Sequence, residues 1–460
     1  MFSRQKTEHI YAYHYDIKKE VKSMKKILTL MLALAIVLSI SACSGLSNLK
    51  DVDIPPLPDT NAEEPADTPE PTANEEEPAE EPAESKLPNH VILNIVPHDE
   101  VYYDPQNGDT VILTFSYDTV EVYVEGRDEA SQKINEYIAT LDETYYTGND
   151  YGLGEATGVN GWLEMATDNY TYAVESNSLD TMALEFSSTR SSRVLRADSS
   201  VVSFANNSYD YTGGAHGNYV DRAYNFDAES GDIITLQMLS GDYNALYDYL
   251  VDYMFNLYTE DKDEYYSMRT DAMFMGDDPK TTLGALVREG SWYFDNDGMT
   301  IFSDIYEIGP YAAGIVEFKI PYAELAGHID DKWMRPERDV AGTLSLMAQG
   351  DIEDGSVEVI DKVVVDENGT ALCIEAEGTV YDVCLSRVNY IDKFYETAQI
   401  WMCSYMNDCV LQLDAVIPEG MPNLMVSYRD ADGTQHKLLL TQSGEDGGYI
   451  LSDENIEPVG

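Results

Sequence analysis

The chain has 460 residues, with 28 Lys and Arg against 84 Asp and Glu and a formal net charge of −56. That length allows two or three domains, each with its own core. A charge this negative excludes nucleic acid as a partner, since binding it needs a cationic footprint, and it steers cationic partners toward the surface.

Residues 1–43 read as an export signal. Met24, Lys25 and Lys26 precede an apolar stretch from Ile27 to Ile40, and Ser41, Ala42 and Cys43 follow. A basic start, a short apolar run and small residues at its end describe a secretory signal. As a helix the apolar stretch is about 21 Å long, short of the ~30 Å hydrocarbon core. Leu38-Ser39-Ile40-Ser41-Ala42-Cys43 resembles a bacterial lipobox, which implies cleavage before Cys43 and lipid attachment to it. An ordinary signal with an accidental cysteine is the alternative. The residues before Met24 read as a mis-start or a cytosolic extension. Residues 44–86 form a linker: Asp51–Ser85 is rich in acids and proline and holds no Lys, Arg or aromatic residue. Such a segment buries too little apolar area to offset its ordering entropy, so it extends as a stalk.

Folded sequence starts near Leu87. Val111–Tyr117 and Val120–Val124 read as strands, and Asp128 opens a helix with Ile134, Tyr137, Ile138 and Leu141 on one stripe. Strand-like runs follow at Tyr170–Val174, Thr181–Ser187 and Ser200–Phe204. Residues 87–205 form the first part of an exported α+β unit and 206–335 the second. In the second part, Ala223–Phe226 and Ile233–Leu236 flank a hairpin-type connection. A helix over Tyr243–Tyr258 carries Leu246, Leu250, Met254 and Leu257 on one face. Asp278 and Pro279 start another helix, with Leu283, Leu286 and Val287 toward the core. Trp292–Phe294 and Met299–Phe302 bracket the hairpin turn Asp295-Asn296-Asp297-Gly298, and Gly314–Pro321 gives a strand. Residues 338–460 read as a smaller C-terminal α+β domain. Its strands are Val357–Val365, Ala371–Glu375, Val380–Leu385, Asn423–Tyr428 and His436–Leu440, with one helix carrying Ile391, Phe394, Tyr395, Ala398, Trp401, Met402 and Tyr405 on a single face. The fold class is α+β, with antiparallel sheets and helices packed on one face.

The run Tyr209-Asp210-Tyr211-Thr212-Gly213-Gly214-Ala215-His216-Gly217 and the later run Tyr306–Gly314, followed by Phe318-Lys319-Ile320-Pro321-Tyr322, stand apart from the rest. Together they resemble a pair of bacterial extracytoplasmic domains of unknown function. That pair occurs in RsiV-type lysozyme-sensing anti-sigma factors and before the catalytic domain of PdaC-type peptidoglycan deacetylases, and alone in surface lipoproteins. The resemblance covers roughly residues 95–330. It implies an α+β ectodomain that recognises lysozyme or cell wall. Residues 338–460 contain a single histidine, His436, so the deacetylase metal site of one Asp and two His cannot be built there.

Tyr209, Tyr211, Thr212, Gly213, Gly214, His216 and Gly217 form the candidate binding or signature turn. Three readings stand beside one another: a structural turn relieved by glycine at φ > 0, a partner-binding loop, and a catalytic base at His216. Catalysis needs an orienting carboxylate and a nucleophile. Asp210, Asp221 and Ser208 are near in sequence, but no nucleophile elbow is present, so no catalytic residue is assigned. The histidines beyond Cys43 are His90, His98, His216, His328 and His436, without metal-ligand spacing. The two Asp-x-Asp-Gly runs depart from calcium-loop spacing, so no metal and no cofactor is expected. Cys373, Cys384, Cys403 and Cys409 suit an oxidised compartment. A turn at Gly378 would pair Cys373 with Cys384, leaving Cys403 with Cys409 at the end of the expected helix; free buried thiols are the alternative. The functional expectation is a lipid-anchored, non-enzymatic binding or sensing protein of the bacterial envelope, with a lysozyme-like cationic protein as partner. A peptidoglycan-binding or envelope-enzyme accessory module is the alternative, and a hydrolase centred on His216 the third reading.

Overall fold

The computed structural model describes residues 89–457, apart from 107, 149–157, 263, 339–341, 352–356, 392, 443–447 and 454–455. The expected export signal, Cys43 and the linker 44–86 lie outside the described residues. β1 (Val91–Tyr103) and β2 (Val111–Val124) form a long antiparallel hairpin. Helices α1 (Asp128–Thr147) and α2 (Val159–Glu175) both pack on β2. Ile134 and Ile138 of α1 are buried on the predicted stripe, and its C-terminus closes at Gly148 in the left-handed region. The run Tyr170–Val174, expected as a strand, lies inside α2. Trp162, Ala166, Tyr170 and Ala173 recur at helical spacing and are buried, a period that a five-residue window cannot display. The run Thr181–Ser187 is also mostly outside any strand, since β3 (Phe186–Ala197) begins at its end.

β3 pairs in parallel with β2 and leads into β4 (Val201–Tyr211) and β5 (Asn218–Asp227), an antiparallel succession. Helix α3 (Tyr243–Glu260) starts at Asp242, whose side chain accepts from the Ala245 N–H. The short helix α4 (Ala272–Met275) precedes α5 (Pro279–Leu286), which begins at Asp278–Pro279 as predicted. The strands β6 (Trp292–Phe294), β7 (Gly298–Phe302) and β8 (Glu317–Pro321) make a three-stranded antiparallel sheet. Its inner face buries Trp292, Phe294, Ile301 and Phe318 with Leu246, Leu250 and Met254 of α3.

The remaining strands are β9 (Thr343–Ala348), β10 (Glu358–Val364), β11 (Thr370–Glu377), β12 (Thr379–Tyr390), β13 (Phe394–Asn407), β14 (Cys409–Ala415), β15 (Leu424–Arg429), β16 (Gln435–Gln442), β17 (Tyr449–Asp453) and β18 (Ile456–Glu457). They do not form a separate α+β domain. β13 pairs with β1, Leu93 opposite Met402, so one sheet runs in the order β17-β16-β15-β12-β13-β1-β2-β3-β4-β5. β9, β10, β11 and β14 form a four-stranded sheet facing its C-terminal half. The helix expected at Ile391–Tyr405 is strand β13. Trp401 and Cys403 enter one core and Met402 the other, so apolar residues stand on both faces and the alternation of a half-buried strand is lost.

The expected cysteine pairs are likewise corrected. Gly378 joins β11 to β12, but the two strands sit in different sheets: Cys373 faces Gln412 and Met347, and Cys384 faces Met402. Cys403 and Cys409 are on β13 and β14, again in different sheets. All four are free, buried thiols. Burial pushes the Cys384 thiol up to about 12 and the Cys409 thiol up to about 11.

Two buried ionic clusters tie the unit together. Arg196 is fully buried between the Asp198 carboxylate (2.7 Å) and the Trp333 and Met334 carbonyls, at 2.7 and 3.0 Å. Asp382, in a left-handed bulge of β12, accepts both Arg335 bonds at 3.0 Å and one from Arg338 at 2.6 Å. The second cluster fastens the segment after β8 to the large sheet.

Candidate functional site

The Tyr209–Gly217 run is the end of β4 and the hairpin connection to β5. Tyr209 stands opposite Tyr219, and Asp210 opposite Asn218. The chain turns through Gly213 (φ 90°) and Gly214 (φ 104°), a region that strains any residue with a Cβ. Gly217 is small for a different reason. A Cβ there would lie 2.4 Å from the Tyr209 ring, which covers the glycine. Tyr211 reaches back, its hydroxyl donating to the Gly214 carbonyl at 3.3 Å.

His216 is exposed at the tip of the hairpin and stacks on Tyr311, ring centroids 3.6 Å apart and planes at 20°. The Gly217 carbonyl accepts from His216 Nδ1 (2.8 Å) and from the Tyr311 hydroxyl (2.9 Å). A carbonyl oxygen can only accept, so Nδ1 carries the proton and the neutral ring keeps its acceptor lone pair on Nε2. Tyr219 lies 5.6 Å from Tyr311 and 6.1 Å from Tyr209, and Tyr306 lies 5.8 Å from Tyr311. Desolvation, then the neighbouring Tyr219 hydroxyl, pushes Tyr311 up to about 12, so it is a neutral donor at physiological pH. The two unusual runs of the sequence therefore meet in one aromatic cluster.

The second run is held by charge. Arg288 donates to both Glu307 carboxylate oxygens (2.5 and 2.9 Å) and to Asp304 (3.2 Å), and Arg222 of β5 donates to Asp304 at 2.9 Å. Glu307 also accepts from the Asp304 N–H at 2.8 Å. This network fixes the 304–307 turn against β5. Tyr306 sits on that turn at φ 63°, a strained conformation for a residue with a side chain, and is half exposed. The Asp271 N–H donates to the Ile308 carbonyl at 3.2 Å. Met268 and Met273, which flank this contact, are 75% and 80% exposed. The segment bonded to Ile308 thus carries exposed methionine together with the exposed carboxylates Glu264, Asp271, Asp277 and Asp278.

The contacts of His216 are an aromatic ring and a carbonyl. Asp210 instead accepts from Ser188 (2.7 Å), and Asp221 from Asn207 (2.5 Å). Each of the five histidines beyond residue 89 lies on a tyrosine of its own: His90 on Tyr405, His98 on Tyr117, His216 on Tyr311, His328 on Tyr249 and His436 on Tyr428. Among the described residues no three His, Cys, Asp or Glu converge in a metal-binding arrangement. Met268 and Met273 carry no motif that marks them in the sequence; the backbone contact between residues 271 and 308 joins their segment to the Tyr306–Gly314 run.

Comparison with known proteins reaches the second half of this site. Residues 244–323, from α3 through β8 and including the Tyr306–Gly314 run, match the family described as "Protein of unknown function (DUF3298)". They are thus matched as a DUF3298 domain. The chain is similar to a solved DUF3298 family member from Bacteroides fragilis, at 23% identity over 52% of this chain and 94% of that one, with a TM-score of 0.38. It is also similar to a DUF3298 family protein from Pseudomonas aeruginosa, at 20% identity over 53% of this chain and 98% of that one, with a TM-score of 0.36. No curated protein matches.

Proposed function

We propose that this chain is an extracytoplasmic binding or sensing protein of the bacterial envelope, lipid-anchored through Cys43, whose His216–Tyr311 face takes a cationic, lysozyme-like protein. The observation that carries the reading is the meeting of the two sequence runs at the His216–Tyr311 stack. Tyrosine and methionine are enriched in protein interfaces; Tyr306 is half exposed with its ring 5.8 Å from Tyr311, and Met268 and Met273 are exposed on the segment bonded to Ile308. Strain at Tyr306 is of the kind that persists where a surrounding network holds a functional conformation. The net charge of −56 supports a cationic partner, since it raises the association rate by electrostatic steering. The export signal and lipobox-like ending support the location.

Titration calorimetry of the chain with lysozyme at near-physiological salt tests the reading. Saturable binding is expected, weakened about tenfold or more by Tyr311→Ala, the loss of one aromatic anchor. Absence of binding below about millimolar, some 4 kcal/mol, removes it.

A further inference from the structure

The outer face of α2 carries a charge pattern that its own helix does not favour. Between Lys133 and Arg190 the sequence holds Asp and Glu throughout but no Lys, Arg or His, and α2 lies wholly inside that stretch. Its buried side is Val159, Trp162, Ala166, Tyr170 and Ala173. At about 3.6 residues per turn, the opposite side presents two neighbouring rows. One holds Glu164, Asp168 and Glu175, the other Met165 and Tyr172. Both rows face solvent: Met165 is 40% and Tyr172 62% exposed, and all three acidic residues are exposed.

The helix dipole favours acids in the first turn and bases in the last. α2 has no acid in its first turn and no base in its last, and Glu175 is its final residue. A carboxylate thus sits at the negative end of the dipole, and no base in this stretch offsets it. Asn169 adjoins Met165 and Tyr172 on the helix surface, and its side-chain amide donates to the Ala183 carbonyl at 2.8 Å. The apolar row is therefore bordered by the chain leading to β3 on one side and by carboxylates on the other.

A basic amphipathic helix matches both rows. Its apolar anchors at i, i+3, i+4 and i+7 would lie on Met165 and Tyr172, with its Lys and Arg along the carboxylate row. A base placed at Glu175 would also supply the positive charge that the C-terminal end of α2 lacks. The same row repels an anionic membrane surface and nucleic acid.

We propose that the outer face of α2 docks a basic amphipathic helix of a partner protein. The surface uses no residue of the His216–Tyr311 stack and stands whether or not that face binds lysozyme. Fluorescence anisotropy of a labelled Leu/Lys amphipathic peptide of about four turns against the full chain tests it, beside a scrambled peptide of the same composition. Saturable binding is expected. Scrambling weakens it about tenfold or more, because the apolar row is then unmatched, and Tyr172→Ser weakens it about tenfold, the loss of one aromatic anchor. Glu175→Lys is expected to raise the midpoint of urea unfolding, since it corrects the dipole. It should nevertheless weaken peptide binding more than Asp248→Lys, a charge-matched change at an exposed site on α3. No saturable binding, equal binding of the scrambled peptide, or α2 variants that bind no worse than Asp248→Lys overturns the proposal, as does binding that is lost with Tyr311→Ala instead.

Discussion

Replacing Gly217 by alanine isolates the geometry of the hairpin tip. The backbone there is not in the left-handed region, so alanine brings no φ strain. The added methyl, however, falls 2.4 to 2.5 Å from three atoms of the Tyr209 ring. Ordinary contact begins near 3.5 Å, so the ring must move by about 1 Å. That displaces it from its 6.1 Å stack on Tyr219, at about 0.5–1.5 kcal/mol, and forces an off-rotamer side chain at a similar cost. The expected destabilisation is about 1–3 kcal/mol. Urea denaturation followed by intrinsic fluorescence measures it, in the wild type and in a Tyr209→Ala background. Without the ring the three atoms nearest the methyl are gone, so the penalty should fall to a few tenths of a kcal/mol, and the double-mutant cycle should show coupling of at least about 1 kcal/mol. An equal penalty in both backgrounds would refute the reasoning and move the cost of the substitution to the turn itself.

Burial outweighs the nearby arginines and holds Asp382 up to about 6. A carboxyl raised in the folded state contributes stability that is complete below the ordinary range near 4 and is lost as pH rises through about 6. Asp382→Asn should therefore flatten the stability profile between about pH 4 and 6, measured by denaturant midpoint; an unchanged slope contradicts this. Arg196→Met leaves Asp198 buried without its partner and should cost about 3–5 kcal/mol; a loss below about 1 kcal/mol would show that the cluster relaxes. Cys384 and Cys403, buried with raised thiol pKa values, should resist alkylation at neutral pH until the chain unfolds. Rapid labelling of the native protein at either position would contradict their placement.

Elements with local signals were legible in the sequence. Asp278–Pro279 opens α5, Asp295–Gly298 makes the β6–β7 turn, and the stripe Leu246, Leu250 and Met254 marks α3. Where two faces are buried at once the signal fades, and β13 read as a helix for that reason. The cysteine pairs failed on topology: a glycine turn usually makes a hairpin, but Gly378 passes the chain from one sheet to another. The site was half legible. Both unusual runs stood out, but their contact joins residues 94 positions apart in sequence, and a distance of that kind leaves no periodic trace. The stacks of His90 on Tyr405 and of His328 on Tyr249 were invisible for the same reason.

Hydrogen–deuterium exchange of the chain with and without saturating lysozyme tests the central claim most directly. Protection is predicted in the 212–217 tip and the 304–314 turn, fading as salt screens the attraction. Binding that protects other surfaces and leaves both segments unchanged would contradict the account.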